Sequence, residues 1–444
     1  MFKTLVNAWK VPELRKKLLY TLLLLVIFRF GAVITAPGVD AVALNQAMTS
    51  SSNTLLQTVN IITGGAFSRL SVFAMSISPY ISASIIIQLL TYAIPSLEEL
   101  SKNGEEGKKA LSRYTKYASV LLAAIEAFGL YLTYRGQGIF IGEGVLVPLL
   151  FVLTLTAGST LLMWIGDQIT SRGVGNGISL LIFAGIVSGI PQTAQYLYSL
   201  AVVDGALSVV GLIEVIAIIV GAVILIGGVV WVTEAERRVP VQYAKRVVGR
   251  KMYGGQNTHI PIKLAMAGVM PVIFAMSFMQ FPAMIIQLIN PSIATSTGFW
   301  AGLYKIFAFS SLGLSTNDAK FWMYGIIHSL IYLLLIVGFT FFYTMMVFNP
   351  VEVSNNLKKN GGFIPGIRAG KPTSDYINGI LKYVTWFGSF FLGVIAILPI
   401  LAQFLGLQIS FGGTAILIIV GVALETIKQL ESQMLVRHYK GFLE

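Results

Sequence analysis

The 444-residue chain contains no cysteine, which excludes disulfide bonds and thiolate metal sites. Charge is scarce as well. Only 11% of residues are Asp, Glu, Lys or Arg, against roughly 25% in soluble domains. Together with 55% hydrophobic residues, this excludes a string of water-soluble domains and describes a polytopic membrane protein. Histidine occurs three times, and none of His259, His328 or His438 begins an HExxH zinc motif. There is no GxSxG elbow, and the hint of a phosphate loop at Gly370-Lys371 is broken by Pro372 and by Pro365. Away from the ends of the apolar segments the formal charges are Arg29 and Glu126. Ion-coupled carriers bury carboxylates or histidines for their coupling ion, so that equipment is thin here. The chain reads as lacking both a catalytic site and an energy source of its own.

What the chain does have is apolar length. Ten spans are expected, at about 18–36, 74–94, 115–134, 146–165, 176–198, 211–232, 263–289, 321–347, 378–401 and 410–430. Residues 1–17 read as an amphipathic surface helix, with Phe2, Leu5, Val6 and Trp9 on one face and Lys3, Lys10 and Arg15 to Lys17 around it. The apolar segment that follows is too long for a signal peptide. The net charge of +12 is strongly one-sided. With the amino terminus taken as cytoplasmic, 26 basic residues fall in cytoplasmic segments and 4 in outer ones. Both ends are therefore expected in the cytoplasm. Ten spans divide into halves of five, at 18–200 and 213–430, and an odd count per half inverts one relative to the other. The link at 201–212 is expected to serve as an outer hinge, and 431–444 as a cytoplasmic tail.

One apolar stretch does not fit a simple crossing. Residues Ile61 to Ile94 form a charge-poor run of 34, too long for one span of ~20. Gly64-Gly65 interrupts it near the start and Pro79 near the middle. The piece between them, Ala66 to Ala74, would reach only ~14 Å as a helix, and it carries Arg69. Irregular backbone at membrane depth is tolerated only against protein or a water-filled cavity. A re-entrant half-helix fits these facts; an ordinary kinked span fits the pattern equally well. Behind the break, Ile81, Ile85 and Leu89 recur every fourth residue, while Ser76, Ser78, Ser82 and Ser84 keep the segment slim.

Two long basic loops complete the inventory. Residues 233–263 contain EAERRVPVQYAKRVVGRKMYGGQNTHIPIK, in which Val239, Val241 and Tyr243 alternate as in a projecting strand hairpin. Residues 349–382 contain NNLKKNGGFIPGIRAGKPTSDYI. Anchoring by positive charge would need only a few residues, so loops of this length are expected to dock a partner. Three classes of function remain open: a protein-conducting channel, a secondary transporter of small solutes, and a membrane enzyme acting on lipid. A channel would call for an apolar pore, a re-entrant segment and large docking loops. A transporter would call for a midplane polar site, and an enzyme for convergent acidic residues or histidines. The first fits best.

The stretch GGAFSRLSVFAMSISPYISASIIIQLL closely resembles the plug and second-helix region of the SecY family, the channel subunits of bacterial protein-secretion translocons. MWIGDQITSRGVGNGISLLIFAGIVSGIP, THIPIKLAMAGVMPVIFA and FNPVEVSNNLKKNGGFIPGIRAGKPT resemble further family segments in family order. The resemblance implies an all-α, ten-helix fold in two inverted halves with a re-entrant plug half-helix at about 63–74. The plug then covers Thr63, Gly64, Gly65, Ala66, Phe67, Ser68, Arg69 and Leu70. It implies an aliphatic pore ring at Ile81, Ile85, Ile182, Ile273 and Ile418. A lateral gate would run along Ile85, Gln88 and Leu89 on one side and Phe274, Ser277 and Phe281 on the other. Docking residues would be Arg237, Arg238, Lys245, Arg246, Arg250 and Arg368. The implied partners are SecE and SecG, the motor ATPase SecA, the ribosome, the translocating polypeptide with its signal sequence, and the lipid bilayer of a bacterial inner membrane. No cofactor or metal is implied. Ala265 departs from the pattern, since some members carry asparagine there in a polar cluster at the gate.

Overall fold

The computed structural model describes residues 2–44, 65–142, 144–203, 206–243, 246–248, 251–253, 257–290, 293, 296–309, 319–404 and 413–440. Helices α1 (Phe2–Lys10) and α2 (Pro12–Gly31) open the chain, and α3 (Ser78–Ala93), α4 (Pro95–Lys102) and α5 (Gly104–Tyr134) follow. Next come α6 (Leu146–Arg172), α7 (Gly177–Val187) and α8 (Ile190–Ala201). A short hairpin of β1 (Val202–Val203) and β2 (Ala206–Leu207) occupies the expected hinge; its turn, with Asp204 and Gly205, lies outside the described residues. The second half begins with α9 (Val209–Glu234), continues through β3 (Glu236–Tyr243), β4 (Arg246–Val248), β5 (Lys251–Tyr253) and β6 (Asn257–Lys263), and returns in α10 (Met270–Ile289). It ends with α11 (Phe299–Phe307), α12 (Ala319–Val347), α13 (Pro350–Lys359), β7 (Gly362–Phe363), α14 (Lys371–Phe404) and α15 (Gly413–Lys440).

Each expected apolar segment falls on a helix. Among the described residues, eight helices are long and apolar enough to cross a membrane, with α7 and α8 together forming one of them. The pair α3 and α4 is bent by 101°. Sequence sets the ends. Asn176 caps α7 by accepting from the backbone of Ile178 and Ser179, and Ser208 caps α9 through Gly211. Pro191 has no N–H to donate, so the expected span at 176–198 divides just before it. Pro271 likewise delays α10 to Met270, shortening the span expected from 263. The polypeptide is arranged so that α5 packs against α3 and α6, and α12 against α10 and α14. The two halves meet where α3 and α5 touch α10, and again where α15 packs against α7. Helix α9 buries almost none of its side chains and faces outward along its length.

The expected hairpin forms, with β3 and β6 antiparallel from Glu236↔Lys263 to Gln242↔Asn257. Val239 and Val241 point inward while Pro240 and Gln242 face out, as the alternation predicts. The second basic loop joins the same sheet, because β7 pairs with the free edge of β3 at Gln242↔Phe363 and Tyr243↔Gly362. One small apolar core then serves both loops: Val239, Val241 and Ile262 pack with Leu357, Ile364, Ile377 and Leu381.

The chain's ends meet on the sheet side. Thr4 Oγ1 donates to Glu431 Oε1 at 2.9 Å, and Ala8, Leu14, Val174 and Leu430 bury one another. Of the apolar face expected on α1, the structure describes Val6 and Trp9, and both are exposed; Ala8 is the residue that buries. A small residue is needed there because α1 lies close against α15.

Candidate functional site

The region after Gly65 is where expectation and structure differ most. Thr63 and Gly64 lie outside the described residues. From Gly65 to Ile77 the backbone runs through consecutive turns rather than the expected helix over 66–74. Leu70 and Ser76 take positive φ, of 39° and 50°, which a right-handed helix does not accommodate. The donors and acceptors that a helix would use internally go elsewhere. Ala36 donates to the Leu70 carbonyl and Val72 to that of Ile34, both at 2.9 Å, making an antiparallel bridge with the chain just beyond α2. Ala66, Leu70, Ser71 and Ala74 are completely buried, Phe67 and Ser68 half-buried, and Arg69 exposed.

Two glycines make room for this segment. A Cβ on Gly158 of α6 would stand 1.9 Å from the Val72 carbonyl oxygen, and one on Gly31 would strike the Phe73 ring. Ser159 adds a hydrogen bond to the Ser76 carbonyl at 3.3 Å. The turns are therefore seated on the first half by backbone contacts and close packing.

Ile182 of α7, Ile273 of α10 and Ile418 of α15 lie in one buried apolar cluster, with Ile81 of α3 packed against it. The same cluster contains Phe73 and Ile77 from the turn segment and Phe28 from α2. Four of the five expected ring residues are thus brought together from both halves, against the base of the turn segment. Ile85, one turn further along α3, belongs to the neighbouring cluster with Phe274 and Met279 of α10 and Phe339 of α12. Ile81 packs against this cluster too and so links Ile85 to the other three. At Ile85 the seam between the halves is an apolar contact, made by Phe274, Met279 and Phe339.

Of the remaining seam residues, Gln88, Ser277 and Phe281 are half-buried, Phe274 is buried and Leu89 exposed. Gln88 Nε2 donates to Ser84 Oγ at 3.1 Å, while its buried Oε1 has no hydrogen-bond partner. A contact that the sequence did not disclose closes the sheet-side end. The rings of Tyr92 on α3 and Phe342 on α12 meet edge-on at 5.0 Å, across the two halves. An aromatic near a helix end carries no periodic signal, so only the fold could pair them.

Around the sheet, Arg237 and Arg238 on β3 and Arg368 beyond β7 are exposed. Arg238 is ion-paired with Glu236 at 2.7 Å, and that hydrogen bond holds the Glu236 carboxyl below the usual range. The turn bearing Arg368 is fixed by two side chains: Thr373 Oγ1 donates to the Arg368 carbonyl at 2.8 Å and Ser354 Oγ to that of Gly370 at 2.7 Å. Arg246 lies on β4 opposite Tyr253, and Lys245 and Arg250 fall outside the described residues. At the base of the sheet, Lys428 of α15 pairs with Glu234 of α9 at 2.7 Å. Burial and then the neighbouring Lys428 charge lower the Lys263 ammonium.

Comparison with known proteins gives a consistent likeness. The family profile for SecY matches residues 71–427. Protein translocase subunit SecY of Streptomyces coelicolor is 44% identical over 458 aligned positions, covering 100% of both chains. That of Streptomyces scabiei is 43% identical with the same coverage. Among solved structures, a SecY channel studied for the way its plug domain stabilises the closed state superposes with a TM-score of 0.66. It is 21% identical and covers 94% of this chain and 92% of its own, a likeness of fold.

Proposed function

The chain belongs to the SecY family and is a protein-conducting membrane channel, and from that premise we propose how its residues divide the work. Ile81, Ile182, Ile273 and Ile418 form the seal, with Ile85 one turn away as the first residue of the lateral gate. The carrying observation is that branched aliphatic groups from both halves meet in one cluster with Phe73 and Ile77 beneath them. A ring of this kind opposes ion flow by dewetting, and it can still mould to a passing chain because no polar partner has to be kept. Residues from about 63 to 74 act as the plug that rests against the ring. Lateral release runs between α3 with α5 and α10 with α12, where a signal sequence of ~20 apolar residues gains by entering lipid.

The shared core under the two basic loops makes them one docking body. Its exposed Arg237 and Arg368, beside the paired Arg238 and with Lys245, Arg246 and Arg250 on the same loop, suit acidic groups on SecA or phosphates of ribosomal RNA. Those partners supply the work of translocation. SecE and SecG accompany it in a bacterial inner membrane, with both termini and the sheet on the cytoplasmic side. The basic excess of the loops and the meeting of α1 with α15 beside the sheet support that orientation.

The test is a translocation arrested midway in reconstituted vesicles, using the absence of native cysteine. Ile81→Cys and Ile182→Cys should each form a disulfide with a cysteine in the stalled polypeptide. Crosslinks confined to lipid-facing controls on α9 would overturn the pore assignment.

A further inference from the structure

Helix α11 lies between the far ends of α10 and α12, on the face opposite the sheet. Its inner side is fully used. Ala301, Tyr304 and Ala308 bury against Ala283 and Ile286 of α10 and against Ile293. Its carboxyl end is bolted to α12, where buried His328 donates from Nδ1 to the Ile306 carbonyl at 2.7 Å. The imidazole is held between Phe309 and Tyr332, with ring centroids at 5.9 and 6.1 Å. A short helix fastened to two long ones in this way has a fixed position relative to both.

Its amino end does the opposite. Phe299 and Trp300 pack edge-on to each other at 5.8 Å and are otherwise bare, 76% and 63% exposed. The neighbouring α10 also presents apolar side chains outward, with Phe278, Ile285 and Ile289 exposed along one side. The depth is set by length. The 20 residues of α10 span ~30 Å, which matches the hydrocarbon thickness of a bilayer. The chain that leaves Ile289 therefore emerges at the boundary between acyl chains and headgroups. Adjacent Phe and Trp are suited to that boundary, where the indole N–H reaches water or headgroup while the rings stay in hydrocarbon. All six tryptophans of the chain share the habit of exposure, from 44% at Trp322 to 72% at Trp231.

We propose that α11 is an interfacial anchor, with Phe299 and Trp300 seated in the lipid boundary opposite the sheet and His328 coupling that anchor to α12. The partner is the lipid surface itself. Through α11, both helices on one side of the seam are pinned at a fixed depth in the far leaflet. The inference rests on the chain crossing a membrane, and its test can fail separately from the channel reading.

The full chain carrying Phe299→Cys is labelled with a polarity-sensitive fluorophore and reconstituted into phosphatidylcholine–phosphatidylglycerol vesicles. Nitroxides placed shallow or deep in the acyl chain, and aqueous iodide, then report the depth. Shallow nitroxide should quench most, and iodide severalfold less than at the same label on an Arg135→Cys control. Iodide quenching equal to the control, stronger quenching by deep nitroxide, or protection from every quencher by another protein surface would each overturn the anchor. His328→Leu should abolish the preference for shallow nitroxide, and His328→Asn, whose amide nitrogen can occupy the Nδ1 position, should restore it. If all three proteins give the same depth profile, the coupling through His328 is wrong. Export by the labelled protein is measured in parallel, so that a failed channel and a failed anchor give different results.

Discussion

Gln88 is the residue at odds with its surroundings. It lies on a seam lined largely by apolar side chains, and its Oε1 is buried with no donor. Such an orphan costs ~1–3 kcal/mol in the closed state. Replacing it with an isosteric apolar group should therefore tighten the seam. Gln88→Leu is expected to slow insertion of a membrane protein several-fold while leaving thermal stability equal or higher, measured by protease protection of the inserted segment and by melting. The seal residues behave the other way. Ile182→Asn or Ile418→Asn places an amide in a dry ring, so conductance across planar bilayers should rise and proteins with defective signal sequences should pass. A well-folded mutant that stays tight would relocate the ring. Ile81 and Ile85 could be read from the sequence because four-residue spacing puts both on one face of a helix. That Ile81 touches both clusters while Ile85 belongs to one could not, since it depends on where α10 and α15 approach α3.

At the scale of elements, the helices were legible because long apolar runs leave few alternatives in a membrane. The turn segment was not. Its irregular course depends on backbone partners at Ile34 and Ala36, contributed by a piece of chain that no local pattern connects to it. Gly158 tests that seat. Gly158→Val would drive a side chain into the Val72 carbonyl, and the expected result is a folded channel with raised ion leak, recorded as conductance without translocating substrate. The union of the two basic loops was equally hidden, because β7 is only two residues long. The buried residue Ile364 belongs to the second loop but supports the first. Ile364→Ala should cost ~2–5 kcal/mol locally and increase protease cleavage within residues 244–256 as well as within the second loop. Cleavage confined to the second loop would mean that they fold independently.

For the whole molecule, the seam is where α3 and α5 of the first half meet α10 of the second through side-chain packing. Tyr92 and Phe342 mark its sheet-side end. Cysteines at these two positions, joined by a short bifunctional thiol reagent, should hold the halves together and block export, with recovery when a cleavable reagent is reduced. Export through the locked form would place the exit elsewhere. A division into halves is what the span count leads one to expect, whereas nothing in the sequence points to the fastening of first helix to last, because it joins Thr4 to Glu431 across 427 positions. That fastening bears on how the molecule is made. Ile418 and Leu430 belong to the final helix, so neither the ring nor the clasp on α1 can be completed until nearly all of the chain has been synthesised. Throughout biogenesis the proposed enclosure is unfinished, and a copy that stops short of α15 would lack the wall that carries Ile418.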